Sequence, residues 1–497
     1  MTNHNVERAA RSILGKEWKT KVLAEPLCIA KISSLSWEDI RDFYKANKYN
    51  NLLPEAYLVY CLTKSDNPIG SKDILGNKIR GGGFDFDDSK FREVVVYDDF
   101  YVLGSYYRNE SFIFNHALGS TGGKGKYIKP YIGDLSDEQF AIYDGLNSSR
   151  ISILNGGPGT GKSHIIQHLV DNFFGSVVVM APTAKAAVKI GGRTVHSVLK
   201  IDPDDPNPFV PPLDVDLIIV DESSMLDSSL MAVILRAASR SKLLLVGDAD
   251  QLSPVGHGKP FFDLINRVQT LTLRTIRRQK SESNIPFLCQ AIREGDEDQA
   301  IDIINSADDI KILPSFSMLY IENEGDFQVI APQRNTCHEL NGKIKNDLNP
   351  ITPKAGMRFS PGDRIILTKN NRNISEGFLN GQQDVIGAAE KNYYLPGLKR
   401  WVPSWVLHEF ALLGWAITVH KSQGSEWDDV HIVIPSETYK GMLTRNFIYT
   451  AASRAKKHLF FYSSPGMIRM SIRQTENESK TLLKYMIEKT QGNNRDA

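Results

Sequence analysis

The sequence predicts an α/β protein with two parallel sheets in tandem, small inserted β modules and a separate α+β region at the N-terminal end. Three observations carry this prediction. Continuous apolar runs at residues 151–154, 177–180, 217–220 and 243–246 are separated by segments of helical periodicity, and the same texture returns at 327–330, 431–434 and 459–462. Strands covered by helices on both faces are apolar throughout, whereas half-exposed strands alternate. At 497 residues the chain is also too long for a single core, so roughly two to four domains are expected.

Residues 1–130 have a different texture from the rest. Ser36 and Asp39 resemble a capping box, after which Trp37, Ile40, Phe43 and Tyr44 recur at helical spacing. The acidic run Asp85, Asp87 and Asp88 reads as an exposed charged turn rather than a metal site, because no second ligand cluster accompanies it. Residues 94–97 read as a strand, and the glycine-rich stretch 119–126 marks a boundary. The expected division is an accessory domain of unassigned role over 1–130, a first sheet domain over 131–272, a second over 273–470 and a C-terminal helix or tail over 471–497.

Lys and Arg total 59 against 58 Asp and Glu, a formal charge of +1, so any polyanion site must be a local groove. Cys28, Cys61, Cys289 and Cys337 are scattered with no C-x-x-C pair, which argues against a disulfide framework or a zinc site and for a reducing compartment. Residues 1–14 lack the apolar core of a signal peptide. The longest apolar stretch, 410–419, is interrupted by Gly414 and Thr418 and falls short of the roughly 20 residues that span a bilayer. It predicts one buried strand, and the whole predicts a cytoplasmic protein with no membrane contact.

Gly156-Gly157-Pro158-Gly159-Thr160-Gly161-Lys162-Ser163 fits G-x-x-x-x-G-K-[ST] between a predicted strand and a predicted helix. In that context backbone N–H groups and the helix N-terminus attract phosphates, Lys162 reaches the β and γ oxygens of ATP, and the Ser163 hydroxyl can ligate Mg²⁺. Asp221 and Glu222 follow the apolar run 217–220. Asp221 suits the metal through its water shell and Glu222 the attacking water. Upstream, Gln139 suits the adenine edge, but Ser136-x-x-Gln139 is equally a capping box.

From about residue 135 to 462 the motifs resemble, in order and spacing, the RecD-like, 5′-to-3′ subclass of superfamily 1 helicases, which also contains the phage Dda helicase. Ala181-Pro182-Thr183-Ala184-Lys185 and Thr194-Val195-His196-Ser197 are similar to its first strand-contacting segments, and the run 247–255 containing Gln251 to its sensor motif. Residues 273–279 are similar to motif IV with Arg278, residues 416–427 to motif V, and Tyr449-Thr450-Ala451-Ala452-Ser453-Arg454-Ala455 to the far wall of the ATP site. The resemblance implies two RecA-like domains, with Gln251 sensing the γ-phosphate and Arg278 and Arg454 acting as fingers from the second sheet. Either arginine taken alone is equally a surface ion-pair partner.

The resemblance also implies that Thr183, Thr194, His196, Asn341, Thr418, His420 and Ser422 contact a single-stranded DNA backbone; taken one by one, the small polar groups Thr183, Thr194, His196, Thr418 and Ser422 are as readily caps or turn residues. The family carries a β-hairpin wedge between its strand-contacting segments and the strand that leads to its Walker B pair, here Asp221-Glu222, and an SH3-like module within its second sheet domain. Here the first insertion is 201–214, too proline-loaded for a long hairpin, so Phe209 is either an apolar wedge tip or part of a tethered loop. The second lies within 345–409, where Asn380-Gly381 reads as a hairpin turn.

The function expected is ATP-dependent, Mg²⁺-requiring unwinding of DNA by 5′-to-3′ movement on single strands and at junctions with duplex, in a bacterial or phage-infected cell. Single-strand-binding, replisome or recombination proteins are the candidate partners of residues 1–130. The alternative is a motor subunit of a larger repair complex that does not unwind alone.

Overall fold

Glu55 organises the start of the N-terminal sheet. Its buried carboxylate accepts the backbone N–H groups of Arg92, Glu93 (2.6 Å) and Val94 (3.3 Å), fixing where the strands begin. These are β1 (Ile69–Ser71), β2 (Val94–Tyr97) and β3 (Phe100–Leu103), an antiparallel sheet in the order β1-β3-β2. The Trp37–Ala46 helix carries the expected capping box, with Ser36 and Asp39 bonded reciprocally, and places Ile40, Phe43 and Tyr44 in the hydrophobic cluster that also holds Val94 and Tyr101 of the sheet. Of the acidic run, Asp85 and Asp87 lie outside the described residues, while Asp88 pairs with Lys72 at 3.1 Å and accepts the Tyr101 hydroxyl at 3.3 Å. The structure is a computed structural model that describes residues 4–493 except 15–16, 33, 65–67, 82–87, 119–134, 203–204, 206–207, 276–282, 319–320, 322–324, 369–380 and 477–480.

The first parallel sheet contains β4 (Ile151–Gly156), β5 (Val177–Ala181), β6 (Arg193–Thr194), β7 (Leu217–Val220), β8 (Lys242–Gly247) and β9 (Gln269–Leu273) in the order β6-β5-β7-β8-β4-β9. The central strands are apolar because helices cover both faces, as the two side clusters around Ile153 and Leu154 show.

The second parallel sheet begins with β10 (Ile310–Leu313) and β11 (Phe327–Ala331). The chain then leaves it for an inserted module: β12 (Arg364–Leu367), β13 (Gln383–Val385), β14 (Ala388–Ala389), β15 (Asn392–Leu395), β16 (Arg400–Pro403) and β17 (Ala411–Leu413) form two three-stranded antiparallel sheets. Phe359, Ile365, Tyr393, Val402 and Leu407 are part of their shared core. Of the expected hairpin turn, Asn380 lies outside the described residues, and the Gly381 N–H donates to Leu367 O at 2.8 Å. The chain returns through β18 (Ala416–Thr418), β19 (Trp427–Val433) and β20 (Ala455–Tyr462), completing the parallel order β10-β20-β19-β11-β18.

The stretch 410–419 is therefore not one buried strand. Its first half, β17, pairs with β12 in the module, and its second half, β18, pairs with β11 in the parallel sheet. The break falls at Gly414, where a Cβ would stand 2.9 Å from the Ile365 carbonyl carbon, so only glycine lets the two backbones approach.

The N-terminal region is also less separate than its texture implies. The Gly104–Ala117 helix puts Ile113 into the core of the first parallel sheet, together with Leu483 and Ile487 from the C-terminal Leu482–Asn493 helix. At this junction the buried Glu110 accepts the Ser228 hydroxyl and the Leu483 N–H (2.6 Å), while Thr481 donates to the buried Asp263 at 2.6 Å. Burial pushes the Glu110 carboxyl up to about 7 from 4.5. Because the folded value lies above the unfolded one, folding takes up a proton between these two values and is weakened as pH rises through them. Glu110→Gln should flatten this dependence, seen as a smaller drop in denaturation midpoint between pH 5 and pH 8.

Candidate nucleotide and nucleic-acid site

At the C-terminal end of β4 the chain turns through the glycine loop into the Lys162–Asn172 helix, with Gly159 at φ 75° and Gly161 at φ 93°. Side chains other than glycine rarely adopt that region, so glycine at these two positions is what lets the loop turn tightly into the helix. Thr160 is buried and donates its hydroxyl to Gly157 O at 2.8 Å, so its side chain shapes the loop instead of lining the cleft. Lys162 Nζ donates to Gly156 O at 2.6 Å and Gly157 O at 2.9 Å, a lysine holding its own loop.

A cleft of about 510 Å³ opens above this loop, lined by Gln139, Gly157, Pro158, Gly159, Gly161, Lys162, Ser163, Asp221, Glu222, Gln251 and Arg454. Asp221 and Glu222 stand just past β7, the neighbour of β5 and β8. Burial, reinforced by the Glu222 charge, pushes the Asp221 carboxyl up, and Lys162 opposes it. Glu222 is held at φ 52°, a left-handed conformation unusual outside glycine. Gln139 does cap its helix, bonding reciprocally with Ser136 at 3.3 and 3.4 Å, and it also lines the cleft, so the two readings of it coexist.

Gln251 donates to Asp248 Oδ2 at 3.3 Å, and its Oε1 is buried without a hydrogen-bond partner among the described residues. A buried, unsatisfied amide oxygen at a cleft wall is costly unless water or a ligand answers it. Arg454 is buried, with Nε donating to Thr450 O at 2.9 Å and Nη1 to Ser425 O at 3.4 Å. Arg278, the other expected finger, lies outside the described residues.

The sequence did not disclose what joins the two sheets. The Arg445–Ala452 helix grips the 248–252 loop: Tyr449 donates to Asp248 Oδ2 at 2.9 Å, Asn446 to Asp250 O and Gln251 O at 3.1 Å each, and Thr450 Oγ1 accepts the Leu252 N–H at 2.9 Å. Lys189 pairs with Glu426 at 3.0 Å, and Lys185 stands 4.4 Å over the Trp427 ring. Only the arginine at the end of the 449–455 segment carried a signal in its residue type.

The residues expected on DNA divide. Thr183 and Thr194 cap the Ala184–Lys189 and Val195–Leu199 helices, accepting the N–H groups of Ala186 and Ser197 at 3.3 and 3.2 Å. His196 lies half-buried in the second of these helices. Ser422 is a correction: it is fully buried and donates to Val419 O at 2.7 Å, so no strand reaches it. Asn341 lines the cleft beside Thr418, and both ends of its amide are bonded to Ala416, Nδ2 to its carbonyl at 2.8 Å and Oδ1 to its N–H at 2.9 Å. It fastens β18 to the Arg334–Leu348 helix. Asn341→Ala should therefore cost about 1–3 kcal/mol of stability, read from a chemical denaturation midpoint.

Thr418 heads the Val419–Ser422 helix without making a side-chain cap bond. It opens onto a second cleft of about 580 Å³ between the second sheet and the inserted module, which also presents Arg334, His338, Arg358, Thr368 and Lys421. The residue spacing gave no sign of this basic set, which assembles from four separate elements. His420 beside it is half-buried, and burial lowers its pKa against the pull of Glu476. The 201–214 insertion contains no helix or strand among its described residues, so Phe209 tips no hairpin; it is 92% exposed.

The AAA domain family matches residues 134–315, and the UvrD-like helicase C-terminal domain family matches 413–462. The chain is 32% identical over 376 residues to the ATP-dependent RecD2 DNA helicase of Deinococcus radiodurans, covering 70% of this chain and 52% of that protein, so it spans about half the length of that relative. It is 24% identical over 458 residues to the RecBCD enzyme subunit RecD of Mycolicibacterium smegmatis, covering 76% of this chain and 80% of that one. The crystal structure of Bacteroides Pif1 bound to ssDNA superposes with a TM-score of 0.49 at 20% identity, over 72% of this chain and 98% of that chain. With its motifs in order along two tandem parallel sheets, the chain is similar to the RecD-like superfamily 1 helicases over most of its length.

Proposed function

We propose that this chain is an ATP-driven DNA helicase that moves 5′ to 3′ along single-stranded DNA. The observation that carries the reading is a single cleft in which Lys162, Asp221, Glu222 and Gln251 from the first sheet domain face Arg454 from the second. Hydrolysis in such a cleft depends on how closely the two domains approach, which is what a motor requires. The direction of movement rests on the similarity to RecD-like helicases.

Lys162 would leave its loop carbonyls for the β and γ oxygens, and Arg454 would stabilise charge on the transferring phosphoryl group. Glu222 would take a proton from the attacking water, with ADP and phosphate as products. Ser163 and Asp221 suit Mg²⁺, a hard cation that prefers oxygen ligands and keeps several waters; when bound it would neutralise charge on the phosphates. Single-stranded DNA would run past Thr183, Thr194 and His196 and along the basic cleft at Thr418 and Lys421, held by its backbone.

The test is unwinding of 5′-tailed against 3′-tailed duplexes with ATP and Mg²⁺ at two salt concentrations, since backbone binding is steeply salt-dependent. Preference for the 3′ tail would refute the polarity. The absence of strands from the described part of 201–214 favours a second reading, a translocating subunit whose partner separates the strands. Unwinding by the isolated chain at catalytic concentration rules that out.

A further inference from the structure

A third cleft, of about 610 Å³, shares no lining residue with either of the first two. One wall is the Gly104–Ala117 helix, where Arg108, Phe112 and His116 are spaced four apart and so form one stripe. The other wall is the 208–212 segment with Phe209, and Arg236 closes the end. The His116 ring stacks on Phe112 with centroids 3.7 Å apart, and the Arg236 guanidinium stands 4.7 Å from the same ring.

Phe209 is presented rather than loose. Val210 beside it is buried in the core of the first sheet, Leu213 N–H donates to Ala237 O at 2.9 Å, and Pro208, Pro211 and Pro212 restrict the backbone between. A large aromatic held in water at a fixed place forgoes the gain of burial. The described lining contains three basic or titratable nitrogenous side chains and no carboxylate, because Glu110 on the same helix is turned into the core junction.

We infer that this cleft holds an unpaired nucleic-acid strand, the one the motor does not grip. The exposed Phe209 ring accepts any base by stacking, and the guanidinium groups of Arg108 and Arg236 answer phosphates by charge. An acidic or apolar protein segment would use the charge or the rings, but not both at this spacing. Position supports the strand as well: Ile201 N–H bonds to His196 O at 3.1 Å, so the chain runs from a candidate strand-contacting helix directly into this segment. The inference rests on the helicase reading and gives the N-terminal region a share in the fork.

The experiment uses the full chain and a fork whose 5′ arm loads the motor and whose 3′ arm carries 5-iododeoxyuridine. Irradiation should cross-link the 3′ arm to peptides containing residues 105–116 or 208–212. Affinity is measured for this fork and for the same duplex lacking the 3′ arm, and the ratio cancels any effect of a substitution on the motor. Phe209→Ala and Arg108→Glu should each lower the ratio by about tenfold, in the range of losing one stacked base. If 5′-tailed DNA stimulates ATP hydrolysis yet both variants keep the unmodified ratio, or the cross-links fall only elsewhere, the inference is overturned and the cleft belongs to a protein partner. If the unmodified protein shows no stimulation by single-stranded DNA, the helicase reading itself fails and this one with it.

Discussion

Arg454→Ala is expected to lower the kcat of DNA-stimulated ATP hydrolysis by about 10³-fold or more, the scale on which arginine fingers act. Two of the guanidinium nitrogens are bonded to Thr450 O and Ser425 O, which fixes the plane of the fork and leaves its remaining donors for the cleft. Lysine keeps the charge and loses the fork, so Arg454→Lys should recover only a small part of the rate. The lysine variant also guards against a trivial explanation, since removing a buried side chain bonded to two carbonyls can unsettle the fold. Turnover at saturating ATP, with nucleotide affinity measured separately by fluorescence, checks the expectation. An Arg454→Lys protein with unaltered kcat would remove Arg454 from the reaction.

Lys162→Ala should abolish measurable DNA-stimulated hydrolysis, a loss of at least about 10²-fold, as expected when a group that meets developing phosphate charge is deleted. Among the described residues the half-buried Lys162 bonds only to carbonyls of its own loop, so the variant should keep its fold, verifiable by an unchanged circular dichroism spectrum and denaturation midpoint. Strand separation by this variant would refute the motor reading outright.

The nucleotide wall was legible because phosphate chemistry imposes local spacing. A strand, a loop with two left-handed glycines and a helix must follow one another, and Gly159, Gly161, Lys162 and Ser163 do so within a few positions. The strands were legible for a related reason: burial on both faces leaves no alternation to misread. Apolar content alone could not show that Gly414 passes the chain from one sheet to another. The polar groups assigned to DNA were least legible, because residue type does not tell whether a hydroxyl or amide faces a groove or its own backbone. Ser422 turned inward, and Asn341, although at a cleft wall, bonds its amide to Ala416. Arg334, Arg358 and Lys421, which do line a groove, gave no spacing signal because separate elements bring them together. Nor could the texture of residues 1–130 show that their last helix completes the core of the next domain.

The grip of Asn446, Tyr449 and Thr450 on the 248–252 loop has a thermodynamic corollary. The helix that carries them ends two residues before Arg454 and follows the Val419–Ser422 helix at the head of the basic cleft. A strand that shifts this helix alters the ATP cleft, and a nucleotide that draws the loop alters the strand's seat. Linkage requires the two effects to be equal: whatever factor DNA adds to ATP affinity, ATP must add to DNA affinity. For a coupling of about 1–3 kcal/mol that common factor is about 5–150. Its sign then fixes which half of the cycle holds the strand and which lets it slide.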